Sequence, residues 1–451
     1  MSLWIQRKLE AWLAQATRRT LERERPSIVA ITGSVGKSST RQAVAAFLDA
    51  GRQGSGVRAS AKNYNNELGL PLTVFDMPAP GRSPRAWLKL LCKAYLTARG
   101  WCKTGVNTFI LEMGADKPGD IAHLTQIAPP DVAIVTGVTP EDASLPPIHL
   151  AKYPSIQALI EEKATLVRRV KPNGIVVLNA DDPRVFAMRH LTHVKVHTYG
   201  ETDAADIRIV LRQVKTVERT WGREPVGLEV HLQIYNHRET YLIQGVFGRS
   251  IAYAWAAAAG VADALDVPRD LLETAATRFV ALPGRTRIIP GRNGVTIFDD
   301  SYNASPAAML AGLRDLGEVI LAPSQRRIAV IGEMREIGET AYVVHRRMGA
   351  EAAHLKLDFF IPCGTFTLAM QEGALANGMK EEQIVVCRDS LDAIPVLEAQ
   401  LRSGDVLFAK ASEGKLDPLG VRMERVVKAF MAEPQKAAKL LCRQEASWQR
   451  K

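Results

Sequence analysis

The chain has 451 residues, 47% of them hydrophobic and 24% charged, with a formal net charge of +10. That length exceeds a single hydrophobic core and predicts about two to three domains of ordinary globular composition. No stretch approaches the roughly 18 uncharged apolar residues that span a bilayer, and the N-terminus lacks a signal-peptide core, so a cytoplasmic enzyme is the expectation.

The five cysteines, Cys92, Cys102, Cys363, Cys387 and Cys442, are odd in number and show no metal-type pairing. They read as reduced thiols, which argues against zinc. The positive charge suits nucleic acid, an anionic membrane surface or phosphorylated substrates. No aromatic and basic residues interleave as a nucleic-acid platform needs, so nucleic acid is set aside.

Trp4 to Arg25 predicts a basic helix with Leu3, Ile5, Leu9, Trp12 and Leu13 on one side. Its apolar face either docks on the protein's own core or meets a membrane surface. An apolar strand from Ile28 to Ile31 follows, then Thr32-Gly33-Ser34-Val35-Gly36-Lys37-Ser38-Ser39 and a helix beginning near Ser38. Strand, glycine-rich turn and helix together cradle a phosphate: backbone N–H groups face the anion, Lys37 reaches the β/γ-phosphates and the Ser38 hydroxyl holds Mg²⁺. Ile31 stands where the longer P-loop has its first glycine, so the match is to the shorter T-G-x-x-G-K-[ST] form.

Asn63 to Pro71 is dense in amides, and Arg85 to Lys103 is a second basic amphipathic stretch. A strand from Thr108 to Leu111 ends at Glu112, which is either a Mg²⁺ ligand beside the P-loop or a carboxylate of a surface turn. Further strands are expected at Val132–Thr136, Gly174–Leu178, Thr296–Phe298, Ile328–Ile331, Phe359–Pro362 and Val406–Ala409, alternating with helices as parallel sheets require. Between Ile207 and Val246 the pattern alternates apolar and polar residues, which predicts a small antiparallel insertion. His149 and Lys163 have ordinary structural readings from their local sequence. Asn179 to Pro183, Asp299 to Pro306 and Gly332 to Glu339 each follow a strand, where α/β proteins place ligands. Pro283-Gly284 marks a domain boundary. The expected organisation is a helix over 1–26, a central P-loop ATP-binding domain over 27–283, a Rossmann-like C-terminal α/β domain over 284–433 and a basic tail over 434–451.

Taken in order, T-G-S-V-G-K-S-S, N-Y-N-N-E-L-G-L-P, L-E-M-G-A, E-K-A, N-A-D-D-P, L-P-G-R, D-D-S-Y-N-A-S-P, I-G-E-M-R-E-I-G-E and R-M-E-R resemble the Mur ligases, ATP-dependent amide-forming enzymes of peptidoglycan assembly. The resemblance runs from about Ile28 to Val427. It implies ATP and Mg²⁺ as cofactors and an acyl phosphate attacked by an amine, with a muramyl tripeptide and D-alanyl-D-alanine as the substrates. It further implies that Gly33 to Ser39 and Lys37 hold the phosphates. Ser38, Glu112, His149 and Lys163 serve metal ions, Lys163 after conversion to a carbamate by CO₂. Asn179, Asp182, Arg285, Asp300, Tyr302 and Asn303 face the nucleotide across an interdomain cleft.

Three departures accompany the resemblance. Glu141 to Pro146 interrupt the family's G-P-x-H-L-E segment and Ala151 replaces its glutamate. Gly248 to Trp255 lacks the family's His and Asn. About 26 residues precede the P-loop strand, too few for the family's UDP-binding domain. Other acceptors, of folylpolyglutamate, poly-γ-glutamate or cyanophycin type, therefore stay open, as do a lipid-linked acceptor reached at the inner membrane face and a non-catalytic scaffold. A monomer is expected. Retention of Lys37, Ser38, Glu112 and Lys163 together argues against the scaffold.

Overall fold

Strand β1 (Ser27–Thr32) sends alternate side chains into two different cores, Val29 and Ile31 to one face and Ile28 and Ala30 to the other. A strand buried on both faces must be apolar throughout, which is why this run shows no polar alternation. A computed structural model describes residues 3–50, 56–60, 64–138, 145, 152–265, 267–268, 270–335, 337–412, 421–445 and 448.

Before β1 runs α1 (Leu3–Glu24). After it come α2 (Lys37–Ala50), β2 (Val57–Ala59), α3 (Gly69–Phe75), α4 (Pro84–Ala98), β3 (Thr108–Glu112), α5 (Asp120–Ile127), β4 (Val132–Val135) and α6 (Ile156–Arg168). Next are β5 (Ile175–Asn179), α7 (Pro183–Phe186), β6 (Lys195–Gly200), β7 (Ile207–Arg219), β8 (Gly222–Ile234), β9 (His237–Gln244), α8 (Arg249–Ala264) and α9 (Leu271–Arg278). These strands form one nine-stranded sheet in the order β2-β3-β1-β4-β5-β6-β7-β8-β9. Helices α2, α8 and α9 cover one face, and α1 and α3 to α6 cover the other. Side-chain caps start several of them: the Ser83 hydroxyl accepts from Ala86 N ahead of Pro84, and that of Ser155 from Ala158 N.

The antiparallel strands are a continuation of the parallel sheet. β7 joins β6 in parallel through Tyr199↔Ile207 and Gly200↔Arg208, and β8 and β9 then add as a meander. Leu228, Val230, Leu232 and Ile234 of β8 are buried in the same core as α8, so alternation marks a strand covered on one side only.

The second sheet has the order β10-β11-β14-β12-β13. Its strands are β10 (Arg287–Pro290), β11 (Thr296–Asp299), β12 (Arg327–Gly332), β13 (Phe359–Cys363) and β14 (Val406–Lys410). Between and after them come α10 (Pro306–Gly317), α11 (Ala341–His354), α12 (Thr367–Ala376), α13 (Ala393–Gln400), α14 (Glu424–Phe430) and α15 (Ala437–Leu440). Four of the five strands pair in parallel; β10 is antiparallel at the edge. The sheets meet where Ile288 N donates to Gly245 O and Phe247 stacks on Phe298 at 4.2 Å. Arg212 adds a bridge to Glu318 at 2.7 Å.

Of the two readings of the first helix, α1 takes the docked one over its second half, from Leu13 to Leu21. Leu13, Ala16, Thr17, Thr20 and Leu21 are buried against α3, α4 and α5, while Trp4 and Ile5 stay exposed. Among the described residues after 434, Leu441, Cys442 and Arg443 are buried, and Arg443 pairs with Glu424 at 3.0 Å.

Candidate active site

β1 lies between β3 and β4, where the chain leaves in opposite directions, and the loop after it opens into the crevice that such a switch point creates. Gly33 and Gly36 carry φ of 147° and 85°, conformations that side chains with a Cβ rarely adopt. A Cβ on Gly33 would also collide with the Thr136 hydroxyl. The next strand's loop pins this turn: Thr136 Oγ1 donates to Val35 O at 2.5 Å, and Ser34 N to Gly137 O at 2.7 Å. α2 starts at Lys37, so its free N–H groups face the same crevice.

Two lysines from distant parts of the chain converge on one carbonyl. Lys37 Nζ donates to Gly33 O at 2.6 Å, and Lys163 Nζ reaches the same oxygen at 3.4 Å. Lys163 sits on α6 with 1% of its surface exposed. Burial and the adjacent Lys37 charge lower its pKa from 10.5 to about 7. Its neighbour Glu162 is a structural cap, accepting from Gly119 N and Ile121 N at the start of α5. Lys37 is also shifted down, by desolvation and by Arg285 from the C-terminal half, with Glu112 opposing.

Glu112 is buried, which removes its surface-turn reading. Its Oε2 accepts from Ser38 Oγ at 3.4 Å, and its Oε1 lies 3.2 Å from Arg41 Nε. Arg41 also donates to Ser60 O. This arginine, four residues after Lys37 on α2, carries no sequence signal that distinguishes it from a solvated helix residue. Ser38 and Glu112 offer only oxygen donors, which is the donor set Mg²⁺ prefers. His149 lies outside the described residues, among which no cluster of three or more His, Cys, Asp or Glu side chains could hold a metal.

Asn179 and Asp182 gather at the same loop. Asn179 Nδ2 donates to Thr136 O, and Asp182 Oδ2 accepts from Val138 N while its Oδ1 caps α7. Asp181 accepts from Tyr253 OH at 2.5 Å, and Arg249 pairs with Glu201 at 2.9 Å and stacks on Tyr253. Arg249 and Tyr253 thus fill the first turn of the segment that lacks the family's His and Asn.

From the second sheet, Tyr302 N donates to Gly284 O and Thr286 N to Asp300 Oδ1, so L-P-G-R and D-D-S-Y-N form one unit. Arg285 stacks over Tyr302 at 4.4 Å. Lys410 at the end of β14 is buried, pairs with Asp300 and donates to Asn303 O at 3.0 Å. Arg443 donates to Ser301 O and to Tyr302 O beneath the same turn. Neither Lys410 nor Arg443 was legible in the sequence, because each is more than 100 residues from the turn it holds. Glu333 of the I-G-E-M-R motif accepts from Arg335 Nε at 2.9 Å, and Glu336 lies outside the described residues.

A glycine-rich turn at a helix N-terminus, with lysines beside it and an arginine from the C-terminal half nearby, carries the donors and positive charge that suit a phosphate chain. Comparison with known proteins agrees. The Mur ligase middle domain matches residues 31–262, and the Mur ligase glutamate ligase domain matches 284–413. The UDP-N-acetylmuramoyl-tripeptide--D-alanyl-D-alanine ligase of Mycobacterium tuberculosis is 32% identical over 408 residues, covering 86% of this chain and 70% of the relative. Its Bacillus subtilis namesake is 24% identical, covering 94% and 79%. The crystal structure of MurF ligase from Thermotoga maritima in complex with ADP superimposes with a TM-score of 0.70 at 24% identity, covering 95% of this chain and 84% of that one.

Proposed function

The chain belongs to the Mur ligase family, and from that premise we propose that it is the ATP-dependent ligase that adds D-alanyl-D-alanine to a UDP-muramyl tripeptide in peptidoglycan synthesis. The observation that carries the reading is the convergence of Lys37 and Lys163 on Gly33 O beside Ser38 and Glu112. A carboxylate oxygen of the tripeptide attacks the γ-phosphorus of ATP, ADP departs, and an acyl phosphate remains. The dipeptide's neutral amine then attacks the acyl carbon, its nitrogen gives up one proton to solvent, the C–O bond to phosphate breaks and inorganic phosphate leaves with that electron pair. The loop N–H groups and Lys37 hold the phosphates in line, while Arg285 adds charge from the C-terminal side. Mg²⁺, when bound by Ser38 and Glu112, neutralises phosphate charge.

Lys163 completes the reading as a carbamate. Its neutral amine adds to CO₂ to give the N-carboxylate and a proton, and a group that repels Lys37 becomes one that attracts it. The neutral form needed is favoured by the pKa of about 7.

Phosphate release from ATP and Mg²⁺ is expected only when UDP-muramyl tripeptide and D-alanyl-D-alanine are both present. Release with a folate or glutamate acceptor instead would overturn the substrate assignment while keeping the ligase chemistry. Lys37→Met is expected to lower kcat by about 10²–10³, the usual cost of losing one transition-state charge donor, with the fold intact by circular dichroism.

A further inference from the structure

Several large rings and apolar side chains stand exposed on α1, α4 and the turn after α4. Trp101 is 72% exposed, Trp4 64% and Leu88 63%, and Tyr95 and Trp12 are exposed as well. Trp4, Lys8 and Trp12 are four residues apart on α1, and Arg85, Leu88, Lys89, Cys92 and Tyr95 follow the outer face of α4, with Arg99 just beyond its end. Both helices bury their opposite sides in the same core, so these rows look outward from packed, rigid elements. The end of α1 is held to the segment that follows α4, where Glu24 accepts from Thr104 N and Oγ1. From Met77 to Asn107 the chain carries Arg82, Arg85, Lys89, Lys93, Arg99 and Lys103 and no acidic residue.

We propose that this α1–α4 face is a docking surface for an anionic lipid bilayer. Amphipathic tryptophan and tyrosine rings settle at the headgroup level of a membrane, and lysine and arginine around them are drawn to acidic headgroups. Large rings gathered on the outward faces of helices whose other faces supply the core are what an interaction surface offers. Lys8 lies 3.9 Å from the Trp4 ring and Arg99 5.5 Å from that of Tyr95, which keeps cation and ring side by side at one depth. Among the described residues no helix is long and apolar enough to cross a membrane, so the contact is peripheral. It is independent of the acceptor assigned above, since none of these residues lines the cleft.

The test is co-sedimentation of the full chain with vesicles of phosphatidylglycerol and phosphatidylcholine, with phosphatidylcholine vesicles alone, and at rising salt. Binding is expected to the anionic vesicles only and to fall with salt. The variant R85E/K89E/K93E is expected to bind at least about 100-fold more weakly, since withdrawing each basic side chain costs roughly fivefold and each new carboxylate is repelled by the headgroups. Trp4→Ser/Trp101→Ser is expected to weaken binding without changing its lipid selectivity. Urea unfolding and ATP-dependent phosphate release should match the parent in both variants, because the changes lie on the surface away from the P-loop. No sedimentation, or equal sedimentation of parent and variants, would overturn the proposal. So would preferential binding of single-stranded oligonucleotides, or a dimer that R85E/K89E/K93E dissociates.

Discussion

Lys163→Met is expected to lower the rate of ligation by about 10³, and Lys163→Arg to do no better, although arginine keeps both charge and length. A cation required as such would tolerate arginine in part; a lysine required as a carbamate cannot. Parent enzyme in CO₂-free buffer should lose activity and regain it on addition of bicarbonate, with ¹³C-bicarbonate giving a carbamate carbon signal that Lys163→Met lacks. Activity in Lys163→Arg above a tenth of the parent, or indifference to CO₂, would refute the carbamate.

The same lysine sets a pH dependence of stability. Its pKa falls from 10.5 to about 7 on folding, so between those values the unfolded chain binds the extra proton. Stability from this group therefore rises with pH from about 7 to about 10, and the cost of burying it is fully present below 7. In CO₂-free buffer, Lys163→Met should remove that slope from urea unfolding measured across the window.

Arg41→Met is expected to destabilise the fold by about 3–5 kcal/mol, because it strands the Glu112 carboxylate in the interior. The two side chains are 1% and 2% exposed and lie 3.2 Å apart. The double variant Arg41→Met/Glu112→Leu should recover most of that stability, since an apolar pair of similar volume carries no desolvation cost. Its activity should stay low, because Glu112 is also the carboxylate beside Ser38. Recovery of both would mean that Glu112 serves packing alone. Failure to recover stability would place the loss in the Arg41 contact to Ser60 O.

Local chemistry explains what could be read from the chain before its fold was known. The P-loop, the strand that feeds it and the carboxylate at Glu112 are each defined within a few residues, because a tight turn needs glycine and a buried strand needs an unbroken apolar run. The order of the remaining motifs identified the family, and with it the interest of Lys163, which its own neighbours would have left as an exposed helix lysine.

Other features depend on residues far apart in the sequence. Arg41 against Glu112, Thr136 against the P-loop, Lys410 and Arg443 against the turn at Asp300 to Asn303 are pairings across about 70 to more than 140 positions, and no periodicity encodes them. The fate of α1 was open for the same reason: one amphipathic face fits a protein core and a membrane equally well, and only packing shows that Leu13 and Leu21 take the core while Trp4 is left outside. The sequence by itself determined the local elements and the phosphate-binding turn, since backbone conformation and short-range hydrogen bonding are written in neighbouring residues. Tertiary structure decided which charges are buried, which of them meet, and how far burial shifts them, since desolvation and Coulomb energy depend on distances that chain order does not contain.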